Sequence, residues 1–233
     1  VKRVKVIFLL VFIIIFSIVL FVTYSQYVKK WPSKEILDEG VLLIYPKMTE
    51  IAYAKDSFYD YYFGRCDESC LTKSLDTNSP VRYVLGKNGF DILAHNYNSI
   101  DDLHLDSINL RNYHTIILFH NEYVTQSVFD KITNFSNVVY LYPNALYALV
   151  DVDYHAGTMT LIKGHGYPSP ELGNGFNWKD DNSRQEIDCK IGEWKFNKVS
   201  NGIMLDCYPE QIMRNDTSLK NYIDKYVKEH KLN

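Results

Sequence analysis

Apolar positions in this chain fall mostly into short unbroken runs. Val41–Tyr45 (VLLIY), stopped by Pro46, and Thr115–Phe119 (TIILF) read as strands buried on both faces, and Asn137–Tyr142 (NVVYLY) is a third. Between them lie helical signals. Ser79-Pro80 offers a cap followed by proline at the first helical position, Val81, Val84 and Leu85 share a face, and Gly89 can end that helix. A weak strand is expected at Phe90–Leu93. A helix over about Val124–Thr133 turns Val128, Phe129 and Ile132 inward, with Thr125 able to cap it. Asn144–Tyr147 reads as a further helical stretch. Residues 48–78 show no clean period and are expected to form a long loop with a helical turn. This strand–helix alternation predicts an α/β fold, a mostly parallel sheet flanked by helices on both faces.

After Val150 the character changes, and residues 151–215 form a more irregular part rich in loops. Thr158–Ile162, Trp194–Phe196 and Ile203–Leu205 read as strands. The chain closes on an amphipathic helix whose stripe is Leu219, Tyr222, Ile223, Tyr226 and Val227.

The N-terminal pattern is of another kind. Val6–Val22 (VIFLLVFIIIFSIVLFV) carries no charge and would be roughly 25 Å long as a helix, near the lower limit for a hydrocarbon core. Thr23 and Tyr24 can extend it, and Tyr24, Tyr27 and Trp31 suit the headgroup level. No small-x-small cleavage site follows, which favours an anchor in the lipid bilayer through residues 6–24 over a cleaved signal peptide. Basic residues flank both ends. The short stub with Lys2, Arg3 and Lys5 is expected to stay cytoplasmic, with residues 31–233 as one extracytoplasmic domain.

Composition narrows the classes. The chain is 46% hydrophobic and 23% charged, a globular balance rather than a disordered one. A net charge of -3, without a basic stripe interleaved with aromatics, argues against nucleic acid as a partner. Four cysteines in an exported domain imply two disulfides. Three pairings are possible, and the local one, Cys66–Cys70 with Cys189–Cys207, is favoured over a zinc site built from all four. Sequons at Asn134 and Asn215 agree with an exterior surface.

Ligands of an open parallel sheet bind beyond the carboxyl ends of its strands. That rule selects Tyr45-Pro46, then His120-Asn121-Glu122-Tyr123, then Pro143-Asn144-Ala145-Leu146-Tyr147. His120, Glu122 and Asn144 are therefore the catalytic candidates. The run His120-x-Glu122-Tyr123-x-Thr125, opening a helix after an apolar strand, resembles a stretch of the C-terminal domain of the N,N-dimethylformamidase large subunit. Asn144-Ala145-Leu146-Tyr147 and Glu186-Ile187-Asp188 resemble further phrases of that domain, so the likeness covers about residues 41–190. It implies a flavodoxin-like, class I glutamine-amidotransferase-like fold and a mononuclear iron held by two tyrosines and a glutamate for amide hydrolysis. Carried over, Tyr123 is the phenolate, Glu186 the carboxylate, and Tyr59 or Tyr83 the second tyrosine. Hard oxygen donors suit a trivalent iron acting as a Lewis acid. Phe119, Val124 and Tyr142-Pro143 depart from the pattern. The chain also resembles archaeal membrane-anchored proteins, a likeness that implies no activity.

No nucleophile elbow, P-loop or H-E-x-x-H is present. One more region carries chemistry. Gly164-His165-Gly166-Tyr167-Pro168 and Gly173-Asn174-Gly175-Phe176-Asn177-Trp178 combine glycines with aromatics and amides, a composition suited to packing on a glycan. A non-catalytic domain binding glycan or envelope components is thus the alternative to the amide hydrolase.

Overall fold

The computed structural model describes residues 38–77, 84–184, 187–210, 213 and 216–231. The expected anchor, the Ser79-Pro80 helix start, Tyr83, Glu186 and Asn215 lie outside them. Among the described residues no helix is long and apolar enough to cross a membrane.

In chain order the elements are β1 (Asp38–Tyr45), α1 (Lys47–Ala52), α2 (Phe58–Tyr62), β2 (Thr72–Ser74), α3 (Val84–Ala94), β3 (Tyr97–Asp101), β4 (Thr115–Leu118) and β5 (Tyr123–Val124). There follow α4 (Gln126–Thr133), β6 (Val138–Tyr140), β7 (Ala148–Asp153), β8 (Thr158–Lys163), β9 (Phe196–Val199), β10 (Gly202–Leu205) and α5 (Ser218–Glu229). Six strands form one sheet in the order β3-β1-β4-β6-β10-β9, parallel except for β9, and β2-β8-β7-β5 form a second, mixed sheet. The α/β expectation with a mostly parallel sheet holds; the second sheet was not foreseen.

The unbroken apolar runs have their cause in this sheet. Leu43 pairs with Ile117, Ile117 with Val139 and Val139 with Ile203, a row across the central strands. Leu43, Ile117 and Val139 pack with Phe90 and Leu93 of α3 and Leu219, Ile223 and Val227 of α5. Their neighbours Leu42, Ile44, Ile116 and Leu118 face the other way, onto Met48 and Ile51 of α1, Val128 and Ile132 of α4, and Met159 and Leu161 of β8. Each such side chain contributes about 1.5–3 kcal/mol on leaving water. Helix α4 starts where its cap predicts, with the Thr125 hydroxyl accepting from Val128 N at 3.2 Å.

Four local expectations are corrected. Gly89 does not end α3, and Phe90–Leu93 is not a strand: the helix runs through both to Ala94. Gly89 belongs there because a Cβ would come within 2.9 Å of Met213. The strand is instead Tyr97–Asp101, polar on one face because it lies at the sheet edge. Residues 48–78 are not one loop but contain α1, α2, a 3-10 turn at Glu68–Leu71 and β2. Asn144–Tyr147 is a turn leading into β7, not a helix.

Both local disulfides are formed. Cys66 and Cys70 are bridged with Cα atoms 6.3 Å apart, and Cys189 and Cys207 with Cα atoms 5.0 Å apart. The first follows α2; the second ties the segment before β9 to the end of β10.

Candidate functional site

Strand order places a switch in the sheet. From β1 the chain crosses to β3 on one side, then returns to β4 on the other. The carboxyl ends of β1 and β4 therefore diverge, and that is where ligands of such sheets bind. Most of the buried polar side chains of the described residues collect there: Thr49, Asp102, His120, Asn121, Glu122 and Asn144.

The segment after β4 bridges the two sheets. Beyond Leu118 the chain passes through Phe119, His120, Asn121 and Glu122, then enters β5, which pairs with β7. Backbone bonds fix this passage from several directions. Leu146 N donates to Asn121 O at 2.8 Å, while Tyr147 N and Ala148 N donate to Glu122 O at 2.8 and 2.9 Å. Thr49 Oγ1 accepts from both Glu122 N and Tyr123 N, at 2.9 and 3.1 Å. Leu146 makes its turn at φ 55°, a left-handed conformation that costs a residue with a Cβ about 1–3 kcal/mol.

The Glu122 carboxylate is the centre, 1% exposed. His165 Nε2 stands 2.5 Å from Oε1, and the Tyr53 hydroxyl donates to Oε2 at 2.7 Å. His120 Nε2 lies 3.6 Å from Oε2. Burial by itself pushes this carboxyl up, but the facing His165 and the Tyr53 hydroxyl outweigh it and hold Glu122 below its ordinary range. His120 goes the other way. Its ring, stacked 4.0 Å from Tyr142, is pushed down to about 4 by burial, against the pull of Glu122 and of a hydrogen bond with Asn144. At neutral pH it is an uncharged imidazole.

Phenols surround this pair. The Tyr123 hydroxyl is buried and has no hydrogen-bond partner among the described residues; burial raises its pKa well above the usual value, so it keeps its proton. Its ring stacks against His165 at 5.4 Å. Tyr147 lies 4.5 Å from the same imidazole and Tyr62 meets it edge-on at 5.0 Å. Tyr59 stacks on Tyr53 at 4.2 Å. On the far side of His120, Tyr208 approaches to 6.3 Å, and burial raises the nearby Glu210 carboxyl to about 7, with charge on Asp188 and Glu122 adding.

The sequence candidates therefore divide. His120, Glu122, Tyr123 and Asn144 are brought together. Tyr59 lies beside the site, stacked on Tyr53, whose hydroxyl meets Glu122, and close enough to Tyr123 to affect its titration. Glu186 and Tyr83 lie outside the described residues. His165, Tyr53 and Asp102 were not among the candidates. For His165 a signal existed, the glycines on either side of it. Gly164, at φ 124°, lets the chain pass so close to β7 that a Cβ would sit 2.8 Å from Ala148 Cβ. The close approach is thus to the protein's own strand, and it swings His165, itself at φ 52°, over Glu122. The second glycine-rich stretch meets the site through its backbone, Gly173 O accepting from His165 N at 3.2 Å, while its aromatic rings point elsewhere. Phe176 stacks on Phe129 at 4.1 Å and Trp178 lies tilted against Tyr140 at 5.4 Å, so they cover the core.

Among the described residues no group of three or more His, Cys, Asp or Glu is arranged to hold a metal ion. The buried Tyr123 hydroxyl, unpartnered among the described residues, is an oxygen donor of the kind such an ion takes. A separate open cleft of about 480 Å³, lined by Asp106, Thr125, Asp151, Tyr154 and Ile162, contains none of these site residues. No protein-family model matches the chain, and no curated protein matches it.

Proposed function

We propose that this domain hydrolyses amide bonds, with Glu122 and His165 handling the proton. The observation that carries the reading is the buried Glu122 carboxylate, approached to 2.5 Å by His165 Nε2 and accepting from the Tyr53 hydroxyl at 2.7 Å, at the carboxyl end of a parallel strand. A carboxylate facing one ring nitrogen fixes the orientation of the imidazole and leaves the other nitrogen to accept a proton. His165, 15% exposed, is the member of the pair that solvent and substrate can reach. It takes a proton from an attacking water and returns it to the departing amine. His120 and Tyr123, held uncharged by burial, are donors suited to the amide oxygen as it gains negative charge.

The likeness to the formamidase domain and the strand order β3-β1-β4-β6-β10 both support a flavodoxin-like frame for this chemistry. Iron would supply Lewis-acid polarisation of the carbonyl, and Tyr123, giving up its proton, would then hold it with Glu186 as its carboxylate partner instead of donating to the amide oxygen. The anchor over residues 6–24 would keep the domain outside the cell, a placement that the two disulfides support.

The test uses the full chain with a panel of formamides and N-substituted amides. Activity that falls at least a hundredfold in both Glu122→Gln and His165→Gln supports the reading; activity retained in either removes the pair. The iron part is read by colour. Tyrosinate bound to ferric iron absorbs visibly, and Tyr123→Phe should abolish the band. A colourless, metal-free protein after iron reconstitution sinks that part alone.

A second reading is favoured by one observation. Tyr62 and Phe63, 51% and 50% exposed, form an aromatic surface whose Tyr62 edge touches His165. Ring faces of this kind stack on pyranoses, so non-catalytic glycan binding is the alternative. Binding on a glycan array that is lost in Tyr62→Ala, without amide turnover, would select it.

A further inference from the structure

Asp102 lies outside everything assigned above, yet it is 1% exposed and sits beside the segment that carries the site. It opens the 3-10 turn Asp102–Ser107 at the end of β3, on the neighbouring strand of the switch. Its two carboxyl oxygens divide between two elements. Oδ1 accepts from Met48 N, in the first turn of α1, at 3.0 Å. Oδ2 accepts from Asn121 Nδ2 at 2.9 Å. Asn121 stands between His120 and Glu122, and its backbone oxygen holds Leu146. Helix α1 then closes the circuit, because Thr49, next to Met48, receives Glu122 N and Tyr123 N.

We infer that Asp102 is a positioning residue, a buried clasp that fixes the His120–Tyr123 segment against α1 and so sets the geometry of Glu122 and His165. This role rests on the reading of those two residues as the working pair. The physical ground is that a carboxyl taken out of water must be matched by donors, and here the donors are the first amides of α1, Met48 with Lys47 adding, and one side chain of the segment. Neither element can shift without leaving the other's partner unmet. A buried carboxyl serving only to cap α1 would have no need of Asn121.

The experiment compares the full chain with Asp102→Ala, Asn121→Ala and, as a control in the same 3-10 turn, Asp101→Ala. The readouts are hydrogen exchange at Met48 N–H and the imidazole resonances of His120 and His165 at one fixed pH. Asp102→Ala should raise Met48 exchange at least about tenfold, the loss of one hydrogen bond to a carboxyl, and shift both imidazole signals. Asn121→Ala opens the clasp from the other side: the imidazole signals should move while Met48 stays protected. Asp101→Ala should move neither. If Asp102→Ala raises Met48 exchange but leaves both imidazoles unmoved, Asp102 is only a cap and the inference fails. If Asp102→Ala does not fold, Asn121→Ala decides alone, and unmoved imidazoles there overturn it. These signals come from the protein and not from turnover, so the clasp can stand even if no amide is hydrolysed, and amide hydrolysis can stand without the clasp.

Discussion

Glu122 and Asp102 are buried to the same degree, each 1% exposed, and lie on either side of Asn121, yet they titrate in opposite directions. Asp102 is pushed up to about 7 by burial, which its bonds from Met48 N and Asn121 only partly offset. Glu122 is held below its ordinary range although burial opposes it there too. The difference is the partner. Backbone and amide dipoles alone solvate the Asp102 carboxyl, while the His165 imidazole faces Glu122 at 2.5 Å and favours its charged form. Burial sets the cost of charge at this sheet edge, and the neighbouring ring decides whether the charge is kept.

The sharpest way to break that contrast is His165→Leu, which should leave Glu122 charged, buried and short of its main partner. A loss of about 3–5 kcal/mol is expected in denaturant unfolding at neutral pH, shrinking toward acid pH where the carboxyl takes up its proton. An unchanged stability would mean that His165 does not hold the charge. Asp102 should show itself through pH. The folded chain keeps this proton up to about 7, the unfolded chain only to its usual 3.8. Between those values the folded state binds the extra proton, so stability is greatest below the window and falls as pH rises through it. The loss is roughly 4 kcal/mol, and Asp102→Asn should flatten that slope. Glu122 has the opposite sign: its contribution is present above its unfolded value and is lost as pH falls. Tyr53→Phe removes one hydrogen bond to the Glu122 carboxylate and should cost about 1.5–3 kcal/mol. The smallest effect distinguishes a working phenol from a structural one. Tyr123→Phe deletes a buried hydroxyl that has no partner among the described residues, and the melting point should hold or rise by the equivalent of about 1 kcal/mol. A large fall would mean that the hydroxyl is satisfied in the folded protein.

Much of the frame was legible because its strands are covered on both faces. Runs such as Leu42-Leu43-Ile44 and Ile116-Ile117-Leu118 need no alternation when each residue meets a core. The C-terminal stripe and the Thr125 cap were legible for equally local reasons. What escaped was either too short or decided at a distance. Helices α1 and α2 have six and five residues, too few turns to reveal a period. Phe90–Leu93 is an apolar tetrapeptide that suits a strand as well as a helix, and Met213, far along the chain, settles what Gly89 does. Four site residues could be read because His120, Glu122, Tyr123 and Asn144 directly follow strands. Tyr53 and Asp102 are ordinary residues in sequence and acquire their roles only from topology, while the glycines beside His165 marked a close approach without saying to what.

That scatter bears on how the chain comes into being. During synthesis Tyr53 and Asp102 precede Glu122, so both have been made before it emerges from the ribosome. His165 has not, for it is made only after β6, β7 and β8. A nascent chain that ends before the Gly164–Gly166 turn therefore lacks the imidazole that faces Glu122, and the site cannot close until that turn has been made.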